Sequence, residues 1–206
     1  AWLAKFSTQG VQLRTQWRWT DGDGRAFVFD TPDGTKTLHS DVTILALGGA
    51  SWPKLGSDGA WTSWFTDKNI PLAPFTPCNV AVHINWSKHI NAQFGKPLKS
   101  VAFRTNDRKL SDEAVISEKG LEGSGIYEIT RDLRQNHDLK IDLLPAWSVE
   151  KIAHALSKPR GKSSQSNFWR KVLKLGSEKQ ALLIEFGRPF PQIASNLPTL
   201  MKSLPV

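Results

Sequence analysis

The chain has 206 residues, 39% of them hydrophobic, which suits one large domain or two small ones and excludes a disordered chain. Its net charge of +8 invites a nucleic-acid reading, but the excess is local: residues 143–206 hold ten bases against three acids, whereas residues 1–75 are balanced. The longest apolar runs are too short to cross a bilayer, the first residues lack a signal-peptide pattern, and the single Cys78 excludes an internal disulfide, so a cytoplasmic protein without a membrane partner is expected.

In chain order, AWLAKFSTQ reads as a helix closed by Gly10. A chain that opens inside a helix is expected to be a trimmed piece of something longer. VQLRTQWRWT, RAFVFD and TKTLHS, separated by the turns DGDG (21–24) and TPDG (31–34), predict a three-stranded antiparallel meander. The apolar run Val42–Leu47 reads as a buried parallel strand that feeds into GGASWPKLGSDG (48–59), with a helix starting near Ser57 or Asp58. Pro71, Pro74 and Pro77 suggest a domain crossing. CNVAVHINW, PLKSVAFRT, EAVIS and LKIDLL are strand candidates, and GIYEITRDLRQN is a short helix among them. From Ser148 onward the pattern is helical: VEKIAHALSKP, SNFWRKVLKL, SEKQALLIEF, and a last segment broken by Pro198.

The strongest local signal is strand, GGAS, WPKLGSDG, helix. Gly48 and Gly49 lack a Cβ, so a flat ring or a pyrophosphate can approach the main chain. Amide groups after a buried strand form a polar cradle, and a helix starting near Ser57 favours an anion. A Gly-rich turn without a ligand explains the glycines equally well.

LALGGASWPKLGSDGAW resembles a stretch of the bacterial NAD(P)/FAD-dependent oxidoreductases, the aminoacetone-oxidase-like and bile-acid-reductase-like flavoproteins. PCNVAVHINWSKHINAQFGKPLKSVAF is similar to the start of that family's inserted domain, GLEGSGIYEITRDLR to a loop and helix that face the flavin, and LLPAWSVEKIAHALSKPRGKSSQSNFWRKVL to its helical subdomain. The fold implied is mixed α+β. Residues 1–75 would be a partial Rossmann-like FAD domain, meander plus return strand. Residues 76–206 would be an inserted domain, β-barrel-like over 76–145 and helical over 146–206. The chain carries no GxGxxG fingerprint, so it resembles an internal piece of the FAD domain, without the segment that grips ADP and without the return segment near the flavin.

The resemblance implies FAD as cofactor in the full-length parent, NAD(P)H as a possible reductant, a small-molecule substrate, and the rest of the FAD domain as partner. The isolated chain would then be inactive. The flavin-binding positions implied are Gly48, Gly49, Ala50, Ser51, Trp52, Pro53, Gly56 and Gly59, with Gly123 from the second domain. Glu122 and Glu118, in SEKGLEGSG, are the candidate catalytic carboxylates, as proton donor or substrate-orienting group. The alternative is an exposed acidic turn.

Other chemistry has little support. The five histidines and Cys78 show no zinc-like spacing, so no metal is expected. There is no Gly-x-Ser-x-Gly elbow. The basic stretch Lys158, Arg160, Lys162, Arg170, Lys171 and Lys174, interleaved with Phe168 and Trp169, could grip phosphates and stack bases. A solvated helix face explains it better, with Phe168 packed inward, and nucleic acid is not the expected partner. A non-catalytic binding module using this basic third for nucleic acid or acidic partners is the alternative function.

Overall fold

In the computed structural model, which describes residues 2–106, 108–135, 137–188 and 196–206, helix α1 (Trp2–Thr8) ends as its sequence dictates. Gly10 adopts φ +74°, the Gly10 amide bonds the Ser7 carbonyl, and the Val11 amide bonds the Phe6 carbonyl. That pair of bonds is the Schellman closure, which needs a residue free to be left-handed.

The meander follows as β1 (Arg18–Gly22), β2 (Ala26–Thr31) and β3 (Gly34–His39), antiparallel in that order. Its first strand starts later than the alternating pattern suggests, and a bulge between Trp19 and Asp21 interrupts its register. The Asp23 carboxylate caps the first turn by accepting from the Arg25 and Ala26 amides, each at 2.8 Å. Helix α2 (Trp61–Asp67) packs on this sheet through the Trp19 and Trp64 rings, 4.8 Å apart, and the Trp64 indole donates to Asp21 at 3.2 Å.

Two expectations for this region are corrected. Val42–Leu47 forms no strand: residues 42–47 run without ladder partners, and Val42 and Ile44 are more than four-fifths exposed. An apolar run becomes a strand only where another strand accepts its hydrogen bonds, and among the described residues none lies beside it. The helix after the Gly-rich loop begins at Trp61, not at Ser57 or Asp58, because the Asp58 side chain takes the Ala60 amide in a local turn and Gly59, at φ +69°, interrupts helical geometry.

The chain divides into two compact units, Ala1–Phe75 and Thr76–Val206. The second is a curled antiparallel half-barrel with helices packed on it. Its strands are β4 (Val82–His83), β5 (Pro97–Arg104), β6 (Lys109–Ser117), β7 (Gly120–Glu122), β8 (Lys140–Asp142) and β9 (Leu204–Pro205), in the spatial order β4-β7-β6-β5-β8-β9. On β6 the alternation is visible in burial: Ala114 and Ile116 point into the core while Lys109, Ser111 and Glu113 face out. Helix α3 (Ser124–Arg134) fills the sheet with Ile126 and Ile129, both fully buried. Gly125 permits this approach, since a Cβ there would lie 2.5 Å from the Phe103 ring.

Helices α4 (Val149–Leu156), α5 (Gln165–Leu173), α6 (Ser177–Gly187) and α7 (Asn196–Lys202) complete the unit. Ser148 and Ser164 cap α4 and α5 by accepting the amides of Lys151 and Asn167. Pro198 does not break α7 but sits in its first turn, where a missing amide hydrogen costs nothing. The part of that last segment over 189–195 lies outside the described residues, as do Asn136 and Ala1 of the two other predicted helices. No described helix is long and apolar enough to cross a membrane.

The polar centre of the second unit is Asp142, whose side chain is fully buried. It accepts Lys202 Nζ at 2.7 Å, Arg104 Nη2 at 3.4 Å and the Leu144 amide at 3.1 Å. Lys179 lies in the same network, donating to the carbonyls of Ser100 (2.8 Å) and Leu143 (2.9 Å). Ser100, at φ +51° in a bulge of β5, turns that carbonyl toward the lysine. Burial pushes the Lys179 ammonium below its usual pKa, while Glu178 and Asp142 pull it upward.

Candidate functional site

The Gly-rich loop of the first unit is held by its own carbonyls. The Gly48 carbonyl accepts the Trp61 indole at 3.2 Å, and the Gly49 carbonyl accepts the Ser57 hydroxyl at 3.0 Å. Trp52 and Ser57 exchange both backbone hydrogen bonds at 3.1 Å, closing a tight excursion through Pro53 and Gly56, the latter at φ +85°. With the carbonyls of 48 and 49 turned inward, the amides of Gly48, Gly49, Ala50 and Ser51 have no protein acceptor among the described residues. A short run of unclaimed N–H groups suits a phosphate or a carbonyl-rich ring edge.

The glycines of this loop serve different ends. Gly48 and Gly59 carry positive φ, and a Cβ on Gly59 would meet Ala50 Cβ at 2.8 Å, so both shape the loop. Gly49 faces open space: a Cβ there would meet nothing within 4 Å. It is the position where a missing side chain leaves room for a ligand without serving the local fold.

Beside the loop, within the same unit, lies a cavity of about 520 Å³ walled by Trp17, Trp19, Trp61 and Trp64 and bordered by Leu47 and Gly56. Four indoles offer flat faces for ring stacking. These four were not singled out by the sequence; the only signal was the count of nine tryptophans. Trp52, which was, sits 60% exposed in the turn outside this wall. Pro53 and Ser51 are exposed as well.

In the second unit, Ser87, His89 and Glu185 form a compact network. The Ser87 hydroxyl lies 2.6 Å from His89 Nδ1 and 2.8 Å from Glu185 Oε2, and Glu185 Oε2 lies 2.9 Å from His89 Nε2. The arrangement is not a nucleophile with its base, because the carboxylate bonds the serine hydroxyl directly and also accepts the Ser87 amide at 2.8 Å. Glu185 caps the turn at 88–93 and ties it to α6. Among the described residues no three His, Cys, Asp or Glu side chains cluster as a metal site, and Cys78 is exposed.

Residues 76–188, from the crossing through the half-barrel to the end of α6, match the family model of the HI0933-like protein barrel and H2TH domain. The chain belongs to the HI0933-like family. That family is tied to FAD-dependent flavoproteins. A comparison with curated proteins gave no match.

Within the HI0933-like domain, Glu118 lies in the exposed turn between β6 and β7, and Glu122 is half-buried at the end of β7 opposite Val115. The two carboxylates sit at different places in the hairpin, Glu118 in its turn and Glu122 at the far end of β7. Gly123, at φ +106°, is the residue before α3 and swings the chain from strand to helix. The Gly-rich loop 48–59 lies outside the matched residues.

Gly120 is the tightest point of the domain. It has φ +145°, and a Cβ there would overlap the Val82 carbonyl oxygen of β4. Gly120→Ala is therefore expected to detach β4 from β7 and destabilise the domain by about 2–3 kcal/mol. Hydrogen exchange checks this at the Ile84 amide, which bonds the Lys119 carbonyl; unchanged protection there would contradict it.

Proposed function

We propose that the chain is part of a flavin-dependent oxidoreductase of the cytoplasm, in which residues 1–75 supply one portion of an FAD-binding domain and residues 76–206 form the domain inserted into it. The observation that carries this reading is the Gly48–Ser51 segment: unclaimed amides, carbonyls turned inward, and open space at Gly49. Those residues fit the edge of a flavin or its pyrophosphate, with Trp52, Pro53, Gly56 and Gly59 holding the loop's shape. Bound there, FAD would supply the hydride and electron chemistry, with NAD(P)H as its reductant. The second unit would shape the pocket of a small-molecule substrate, with Glu122 as the proton-handling carboxylate and Glu118 secondary to it.

A further feature supports a divided FAD domain. Among the described residues, all large apolar side chains that remain exposed fall between Trp2 and Val80, and Phe27 is the only buried hydrophobic residue before residue 76. A soluble domain does not leave that much apolar surface uncovered, so the rest of the FAD domain is the proposed partner.

The test is a flavin titration. The chain by itself is expected to bind FAD weakly or not at all, because it holds no GxGxxG turn for the ADP half. Joined to the remaining segments of the FAD domain, it should purify with bound flavin. Tight stoichiometric binding by the chain alone would refute the divided site, and a joined protein without flavin would refute the flavin reading.

A further inference from the structure

The last third of the chain carries almost the whole net charge, ten bases against three acids. The three acids are occupied locally: Glu185 binds Ser87 and His89, the Glu178 carboxylate folds against Gly176, and Glu150 is held at the start of α4 by Ser148. Two of the bases, Lys179 and Lys202, are consumed inside by the Asp142 network. Lys158, Arg160, Lys162, Arg170, Lys171 and Lys174 are exposed, and among the described residues none has a carboxylate within 4.0 Å. Arg170 donates to Asn167 Oδ1 at 2.7 Å.

Their placement is ordered. Asn167, Arg170 and Lys171 follow the i, i+3, i+4 spacing along the solvent side of α5, with Lys174 at its left-handed C-cap, while Phe168, Trp169 and Leu173 are buried on the opposite side. Lys158, Arg160 and Lys162 occupy the loop that leads into the same helix. Helix α5 spans about 13 Å, close to four base-pair rises of 3.4 Å each.

We infer that this basic face of α5 and its preceding loop docks on a nucleic-acid backbone without reading sequence. Unpaired cations gain most from a partner that supplies phosphates in series and releases condensed counterions. An anionic membrane fits less well, because an interfacial helix needs exposed apolar side chains and, among the described residues, no large one is exposed beyond Val80. An acidic protein fits less well for a related reason: such interfaces centre on aromatic or aliphatic anchors, and here Phe168 and Trp169 are buried. With the aromatic rings buried there is nothing to stack on bases, which makes the contact phosphate-only.

The experiment is an anisotropy titration of the whole chain with labelled duplex DNA of two unrelated sequences. Affinity should be equal for both and should fall roughly 100-fold or more between about 50 and about 200 mM salt, as four or more phosphate contacts require. Arg170→Glu with Lys171→Glu, and separately Lys158→Glu with Arg160→Glu, should each weaken binding at least about tenfold and flatten the salt slope, with thermal melting unchanged. Lys88→Glu with Lys96→Glu, the same charge change on another part of the unit, should have a much smaller effect. The inference is overturned if the two α5 variants bind like the parent chain, or if the Lys88 and Lys96 variant loses as much. It is equally overturned if phosphatidylserine vesicles or polyglutamate bind more tightly than the duplex, or if one sequence is preferred at the higher salt.

Discussion

Replacing Gly49 by valine in the protein joined to the rest of its FAD domain is expected to weaken flavin binding on the order of a hundredfold, equivalent to roughly 3 kcal/mol, while leaving the fold intact. The reasoning rests on the space around each glycine. A Cβ at Gly49 would meet nothing within 4 Å beyond its chain neighbours, so the loop itself leaves room for a side chain there. A side chain at Gly59 meets Ala50 and Phe75, and there the same substitution would damage the loop itself. Comparing the two separates a ligand effect from a folding effect. Gly49→Val should melt like the parent and bind flavin poorly, whereas Gly59→Val should also melt early. Unchanged flavin affinity in the Gly49 variant would remove this loop from the cofactor site.

Asp142→Ala should cost about 3–5 kcal/mol of stability in the second unit. The carboxylate is wholly buried, and its removal leaves the Lys202 ammonium, part of the Arg104 guanidinium and the Leu144 amide without their acceptor. Lys179 also loses an anion that supports its charged form. Urea unfolding measures the loss. Glu128→Ala is the matching control, because Glu128 pairs with Arg108 at 3.2 Å with both side chains well exposed, and such pairs contribute less than about 1 kcal/mol. Equal effects of the two substitutions would show that the buried network adds nothing beyond a surface pair.

The helical half was legible because its signals are local. Ser148 marks a helix start, and Phe168, Val172 and Leu175 have the spacing of a buried stripe, so α4 begins where the sequence places it and α5 lies within two residues of SNFWRKVLKL, while α4 stops at Leu156, three residues before the expected end. Strand pairing is not local. Val42–Leu47 has a strand's composition but no ladder partner, whereas β7 and β9, only three and two residues long, carry too little pattern to be read yet complete the half-barrel. The glycines of the loop were legible as a candidate site, because a Gly-Gly pair without Cβ atoms leaves the main chain open to approach. Its tryptophan walls were not, because Trp17 and Trp19 come from the meander and Trp61 and Trp64 from α2, and only the folded chain joins them.

The two sheets end very differently at their margins, and this bears on behaviour in solution. The half-barrel finishes on β4 and β9, each two residues long, and β9 carries Pro205, which has no amide hydrogen to offer an incoming strand. Such margins give neighbouring molecules little to extend. The meander instead presents β3, six residues with every one exposed and, among the described residues, only β2 beside it, and its Leu38 faces solvent. Lys36 is the one charge along that strand before His39. Self-association of this chain at high concentration should therefore begin on the outer border of β3, and a second lysine at Thr37 would be the smallest change that opposes it.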